Sequence, residues 1–344
     1  MNGMISRVAE SCFWLNRYIE RVEVLARILD VNLSFQLDVT LPNAERWWPL
    51  VVVTGQGDAA PDDLHERSLS DDQVVQQYLT WERDNPISLY ASLRAARENA
   101  RTIRETISLE MWETINDLWV WMNDRASKRL YRSDRHAFYR KLRDQCLLFH
   151  GVANATMLHE APFHFSRLGT ALERANQTAR ILDVKHHSVG PTARGEETPV
   201  ETAQWLETLR FCSGVEPFFK REDSILSGRD VAAFLLFDTG FPRSVLHNLD
   251  RARNFLDLVR PSSDEAVGAQ TRALVVATSD ELRALDIDAV LARGLHEVIT
   301  WLVETIARIG DTVHADFFDP TAPVRSTRSF SGQTQTQTQS TSAG

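Results

Sequence analysis

The sequence predicts an all-α fold, a multi-helix bundle with two related halves. Apolar residues recur at spacings of three and four through most of the chain, and no alternating strand pattern competes with them. The segment from Glu20 to Val31 also returns from Glu173 to Val184, identical at eight of twelve positions with a constant offset of 153. Unrelated windows would share roughly one position, so the repeat points to an internal duplication. Packing alone would preserve apolar size and period. This repeat also keeps glutamate, arginine and aspartate at fixed places, which suggests a paired polar site inside a helical protein.

Residues 1–320 are read as one all-α domain with pseudo-repeats of about 1–160 and 161–320. From Met4 to about Leu37 there is neither proline nor glycine, and Val8, Cys12, Leu15, Ile19, Val22, Ala26, Leu29 and Leu33 form the apolar stripe of one long helix. Pro42 ends it, and Trp47-Trp48-Pro49 leads into Val51-Val52-Val53, a candidate strand with no partner, and then a glycine-rich loop to Asp63. Asp71 or Asp72 can cap a short helix to Tyr78, and Asn85-Pro86 has the chemistry of a helix start running to about Ser108. A tryptophan-rich helix from Glu110 to about Ser127 follows, then one from Asp134 to Glu160, which Ala161-Pro162 breaks before the second copy.

Ser188 to Pro199 reads as an exposed loop, and the period returns from Val200 to Cys212, Gly228 to Leu236, Pro242 to Val259 and in two later segments ending near Phe318. The Gln/Thr/Ser-rich tail 321–344 is too polar and too simple to pack and is expected to be disordered.

Composition narrows the function. A chain of 344 residues, 43% hydrophobic, can bury a substantial core, and its formal charge of −9 argues against nucleic-acid backbone binding. Cys12, Cys146 and Cys212 are far apart and form no CxxC, so neither a zinc knuckle nor a disulfide framework is written here. No run approaches the roughly 20 apolar residues of a membrane span and no leader is evident, so a soluble, cytoplasmic protein is expected.

On the first helix Arg17, Glu20, Glu23, Arg27 and Asp30 share a face, extended backward by Glu10. Such a ladder is either a solvated face of ion pairs or part of a polar site. The second copy keeps Glu173, Arg180 and Asp183 but has Thr170 and Asn176 in place of Arg17 and Glu23. Were the repeat helices to meet, Glu20 and Glu173 would serve as proton acceptors or metal ligands, with Arg27 and Arg180 as forks for an anion. Arg94, Arg97, Arg101 and Arg104 stripe another helix beside Glu98 and call for an acidic partner, either the Glu20 ladder or an anionic ligand.

His159, His164, His186 and His187 cluster near the second copy without a metal-binding spacing, so no metal ligand set is assigned. Trp14, Trp112, Trp119, Trp121 and Trp301 are read as helix-contact residues. No GxSxG, Walker loop or dinucleotide fingerprint is present, and the sequence names no cofactor.

Several ordered motifs resemble the bacterial alpha-E family. They are Met4-Ile-Ser-Arg-Val-Ala-Glu-Ser with Trp14, Arg17-Tyr-Ile-Glu-Arg21 and Ala26-Arg27, then Ser92-Leu-Arg-Ala-Ala-Arg-Glu-Asn-Ala-Arg101. His164-Phe, Leu168-Gly, Glu173-Arg-Ala and Thr178 to Lys185 follow, with Phe241-Pro-Arg-Ser-Val and Gly294-Leu-His-Glu297. Phe163 departs from the tryptophan of many relatives. The resemblance spans about Met4 to Phe318 and implies an all-α domain whose Glu-Arg pairs form an active or ligand-binding site. It also implies company with an ATP-grasp-type ligase and a transglutaminase-like protein, hence work on a peptide or amide-linked product.

The leading expectation is therefore a component of an ATP-grasp amide-ligase system that binds or helps modify a peptide-like or anionic substrate. Glu20, Glu98 and Glu173 are the candidate catalytic residues, and Arg17, Arg21, Arg27, Arg101, Arg174 and Arg180 the candidate substrate-binding ones. The alternatives are a stand-alone metal-dependent hydrolase using paired carboxylates and a non-catalytic scaffold.

Overall fold

The computed structural model describes residues 3–42, 46–57, 59–188, 198–221, 226–259 and 267–318, without the side chains of 3–5 and 184–188. The tail 321–344, most of the loop expected from Ser188 to Pro199, and the side chains of His186 and His187 lie outside these residues. Among them are sixteen α-helices, a terminal π-helical turn and no strand.

Two helices form the axis. The uninterrupted apolar period gives α1, Gly3–Asp38, and the second copy of the repeat lies on α9, Ala161–Ser188. These two make the most extensive helix–helix contact among the described residues. Against α1 pack α5 (Leu89–Thr102) and α8 (Arg135–Thr156), with α6 (Leu109–Asn123) and α7 (Arg125–Ser133) outside them. Against α9 pack α13 (Val245–Val259) and α16 (Leu295–Val313), backed by α14 (Ala269–Ala284) and α15 (Ile287–Arg293). α4 (Asp72–Trp81) precedes the first set and α12 (Gly228–Phe237) the second, so the same order of elements surrounds each axial helix. Short helices α2 (Trp48–Val53), α3 (Leu64–Ser68), α10 (Pro199–Phe211) and α11 (Val215–Arg221) fill the connections.

Because neighbours surround α1, its polar face is buried together with its apolar stripe. Cys12, Leu15, Ile19, Val22, Ala26 and Leu29 enter the core, and so do Asn16, Arg17, Glu20, Arg21 and Glu23. The ladder is thus not a solvated face. A single hydrophobic cluster runs from Ala9 to Phe317, with Trp14, Trp112, Trp119, Trp121 and Trp301 packed against it.

Local chemistry sets the boundaries and corrects several expectations. Side-chain caps start α4 (Asp71), α6 (Ser108), α7 (Asp124), α8 (Asp134) and α10 (Thr198, with Glu201 completing a capping box). The expected start of α5 at Asn85-Pro86 moves to Ser88, whose hydroxyl accepts from the Ala91 amide, while Asn85 Oδ1 accepts from Ile87 N. That helix stops at Thr102 rather than near Ser108, because Ser108 is extended to cap α6. The valine run, a candidate strand, is helical in α2: no strand offers it a ladder, Pro49 stands in its first turn, and it packs against α9.

The two axial helices cross at Gly169. A Cβ there would lie 2.3 Å from the Phe13 carbonyl oxygen, so only glycine permits this approach. Gly169→Ala is expected to destabilise the fold by about 1–3 kcal/mol despite alanine's helix propensity. Gly151→Ala supplies the control. Gly151 is an exposed position inside α8 with nothing within 4 Å of a new Cβ, and the change should stabilise by about 0.5–1 kcal/mol. Urea denaturation of both variants measures the opposite signs.

Candidate functional site

Glu20 on α1 and Glu173 on α9 are each 0% exposed, and the helix opposite supplies the cation for each. Arg174 Nε and Nη2 donate to the two oxygens of Glu20, both at 2.7 Å. In return Arg21 donates to Glu173 from Nε at 2.9 Å and from Nη2 at 3.2 Å. The Glu-Arg dipeptides of the two copies therefore exchange partners across the crossing, each as a two-bonded fork.

The remaining ligands of the two carboxylates differ. Arg17 Nε reaches Glu173 at 2.8 Å and Gln177 Nε2 reaches it at 3.1 Å. Around Glu20, Arg243 Nη1 stands at 3.2 Å and His150 Nε2 at 3.3 Å. Arg243 also donates to Glu23 at 2.7 Å, and the other oxygen of Glu23 takes Arg27 Nη2. Thr178 Oγ1 donates to the Arg243 backbone carbonyl at 2.7 Å, tying the loop before α13 to α9.

Burial pushes the Glu20 carboxyl up, but Arg174 and Arg243, with His150 close by, outweigh it and hold Glu20 well below the usual carboxylate range. At Glu173 burial is likewise overcome, by Arg21 and Arg17, which bring it down to about 2. Arg243 is raised: burial lowers it, and Glu23 and Glu20 more than restore it. Arg27 and Arg180 end lower than an ordinary guanidinium, chiefly from burial, with Arg243 and Arg21 respectively adding repulsion. At the edge of the seam each repeated aspartate meets a histidine, Asp30 with His136 at 2.7 Å and Asp183 with His296 at 2.6 Å.

Of the residues singled out from sequence, Glu20, Glu173, Arg17, Arg21, Arg27, Arg174 and Arg180 converge on this seam. Glu98 and Arg101 do not. Their half-exposed to exposed side chains pair with each other on α5, where Glu98 also takes Arg97. The arginine stripe of α5 finds its neighbours in Glu98, Asn116 and the Trp112 ring, over which Arg97 and Arg104 lie, and not in the Glu20 ladder. His159 stacks on Phe163.

Sequence reading missed Arg243, His150 and Gln177 and left Glu23 outside the site. Arg243 had a signal, since it lies in the quoted Phe241-Pro-Arg-Ser-Val motif and Pro242 stands 156 residues after Pro86. His150 had none, because a contact spanning 130 residues leaves no local pattern.

Beside Glu173 lies a cavity of about 60 Å³ between α1, α9, α16 and the turn after α2. Its polar lining includes Arg17, Arg21, Glu173, Asn176, Arg180 and Gln56, with Gln177 and Thr54 beside them. The Arg180 guanidinium rests against Gly55, where an added Cβ would come within 2.6 Å, and the φ of +74° there also favours glycine. Such a space holds several waters or a group of a few heavy atoms.

Fold and site together define an all-helical domain in which two axial helices are tied by reciprocal buried Glu-Arg forks. The chain belongs to the Alpha-E family, described as a predicted alpha-helical domain with a conserved ER motif, whose model matches residues 4–318. It is similar to uncharacterized proteins of Mycobacterium bovis (23% identical) and Mycobacterium tuberculosis (23% and 22% in two strains), each over 332 residues. These alignments cover 90% of this chain and 36% of the relatives, so the chain spans about a third of the length of the curated relatives it matches. No solved structure matches. Among the described residues no helix is long and apolar enough to cross a membrane.

Glu173→Gln removes the anion from Arg17 and Arg21 and is expected to cost about 3–5 kcal/mol in urea denaturation. The pH dependence follows from the lowered carboxyl. With a folded value of about 2 against an ordinary 4.5, the unfolded chain binds the proton first as pH falls. The contribution of Glu173 is thus fully present above pH 4.5 and lost as pH drops toward 2, on the order of 3 kcal/mol in all. In Glu173→Gln that part of the acid transition should vanish, as denaturation curves across this range would record.

Proposed function

We propose that this chain is the substrate-binding component of an ATP-grasp-type amide- or peptide-ligase system, and that its arginine-rich seam holds an anionic, peptide-like substrate. The observation that carries the reading is the charge balance of the seam. Arg17, Arg21, Arg27, Arg174, Arg180 and Arg243 surround Glu20, Glu23 and Glu173, six guanidinium groups to three fully buried carboxylates, with Asp183 near Arg180 and Asp311 near Arg17 at the margin. Arg167, pushed down by burial and by Arg174 and Arg251, adds to the excess. A buried seam so short of anions is suited to receive one. The ligase and the transglutaminase-like protein enter as partners through the family resemblance.

The same geometry weighs against hydrolysis by paired carboxylates. Both oxygens of Glu20 and both of Glu173 already accept from guanidinium groups, which leaves neither carboxylate disposed to hold a metal or take a proton. Their role in this reading is to orient arginines. A scaffold role is the second reading, favoured by the closure of the Glu20 and Glu173 forks.

The test combines the purified chain with an ATP-grasp ligase from the same genome and follows complex formation and ADP release with peptide acceptors. A complex and a rate at least about tenfold above the ligase alone are expected, equivalent to about 1.4 kcal/mol of barrier. A complex without acceleration would favour the scaffold. Amide cleavage by the chain alone, or neither complex nor acceleration, would overturn the proposal.

A further inference from the structure

The two sides of the axial crossing are built on matching positions but are filled differently. The offset of 153 that relates the repeat sets Asn176 against Glu23 and Arg180 against Arg27. In the loops before α5 and α13, Pro86 matches Pro242, Ser88 matches Ser244, and Ile87 stands where the other side has Arg243. The loop match has a geometric basis: the Ser88 hydroxyl donates to the Glu82 carbonyl and that of Ser244 to the Asp238 carbonyl, each six residues back.

On the Glu20 side the three positions pair among themselves, Glu23 taking both Arg27 and Arg243, with Arg27 Nε left without a hydrogen-bond partner among the described residues. On the Glu173 side they are Asn176, Arg180 and Ile87, and all three line the cavity. The carboxylate that would answer Arg180 has become an amide, and the long guanidinium that would fill the space has become isoleucine. Arg180 makes no hydrogen bond or ion pair within the described residues. Its nearest attractive charges are Glu173, already held by Arg17, Arg21 and Gln177, and Asp183, whose Oδ1 is bonded to His296. A second polar group faces the same space: Gln56 is 2% exposed and its side chain belongs to the lining of the cavity.

We propose that this cavity is a subsite for one small oxyanion, the carboxylate or phosphoryl group of a ligand, clasped by Arg180 in the place that a Glu23-like carboxylate takes on the other side. Gln56 and Asn176 offer amide N–H donors to the oxyanion, and Arg17 and Arg21 set the positive field. Gly55 leaves room for the guanidinium to lie flat against the turn. The inference rests on the reading of the seam as an anion-binding site and locates it on one side only.

Thermal unfolding of the full chain in acetate, in inorganic phosphate and in sodium chloride at matched ionic strength tests this. Millimolar acetate or phosphate should raise Tm by about 3 °C or more beyond chloride. Acetate alone acting identifies a carboxylate ligand, phosphate alone a phosphoryl one. Arg180→Gln should abolish the effect, and because Arg180 makes no hydrogen bond or ion pair among the described residues this variant should fold normally. Asn176→Glu should raise Tm without added anion and remove the response, by installing the carboxylate of the other side. An equal response to chloride, or an unchanged acetate or phosphate response in Arg180→Gln, would overturn the subsite. Ligase stimulation persisting alongside such a result would leave the wider functional reading standing.

Discussion

Two carboxylates with no solvent access govern this architecture. An ionised glutamate is tolerated in a protein interior only when cations and hydrogen bonds replace its water, and here the cations come from the partner helix. Neither axial helix can therefore be packed alone. The crossing at Gly169 brings the backbones close enough for arginine forks to reach across, and the surrounding helices exclude the water that would otherwise screen the pairs. Burial of the polar face of α1 follows from the same contact, as does the depression of both carboxyls.

The reciprocal forks are matched and their surroundings are not. On one side a second carboxylate pairs with Arg27 and with an arginine from the loop before α13; on the other, an amide and an isoleucine leave a cavity with a guanidinium at its wall. The order of helices recurs around each axial helix, and each carries one Asp–His pair at the edge of the seam.

Much of this was legible in the sequence, for identifiable reasons. Helix period and caps come from local chemistry, so α1, α8 and α13 stand close to where spacing puts them. The repeat exposed Glu20, Arg21, Glu173 and Arg174 because a fixed charged pattern at constant offset has no explanation in packing. Whether that pattern faced water or protein was not legible, since a charge ladder looks the same in either setting. Glu98 and Arg101 show the cost of that ambiguity: their spacing matched a site, and they are a surface pair. Long-range partners such as His150 are fixed by tertiary packing and left no mark nearby.

The central claim, that α1 and α9 are bound by exchanged ion pairs, is tested most directly by a double-mutant cycle. Stability would be measured by urea denaturation for Glu20→Gln, Arg174→Met and the pair together, with Arg94→Met and Glu20→Gln as a distant control. The exchanged pair should give a coupling energy above about 1.5 kcal/mol, the control pair one near zero. Additive effects at Glu20 and Arg174 would contradict the account.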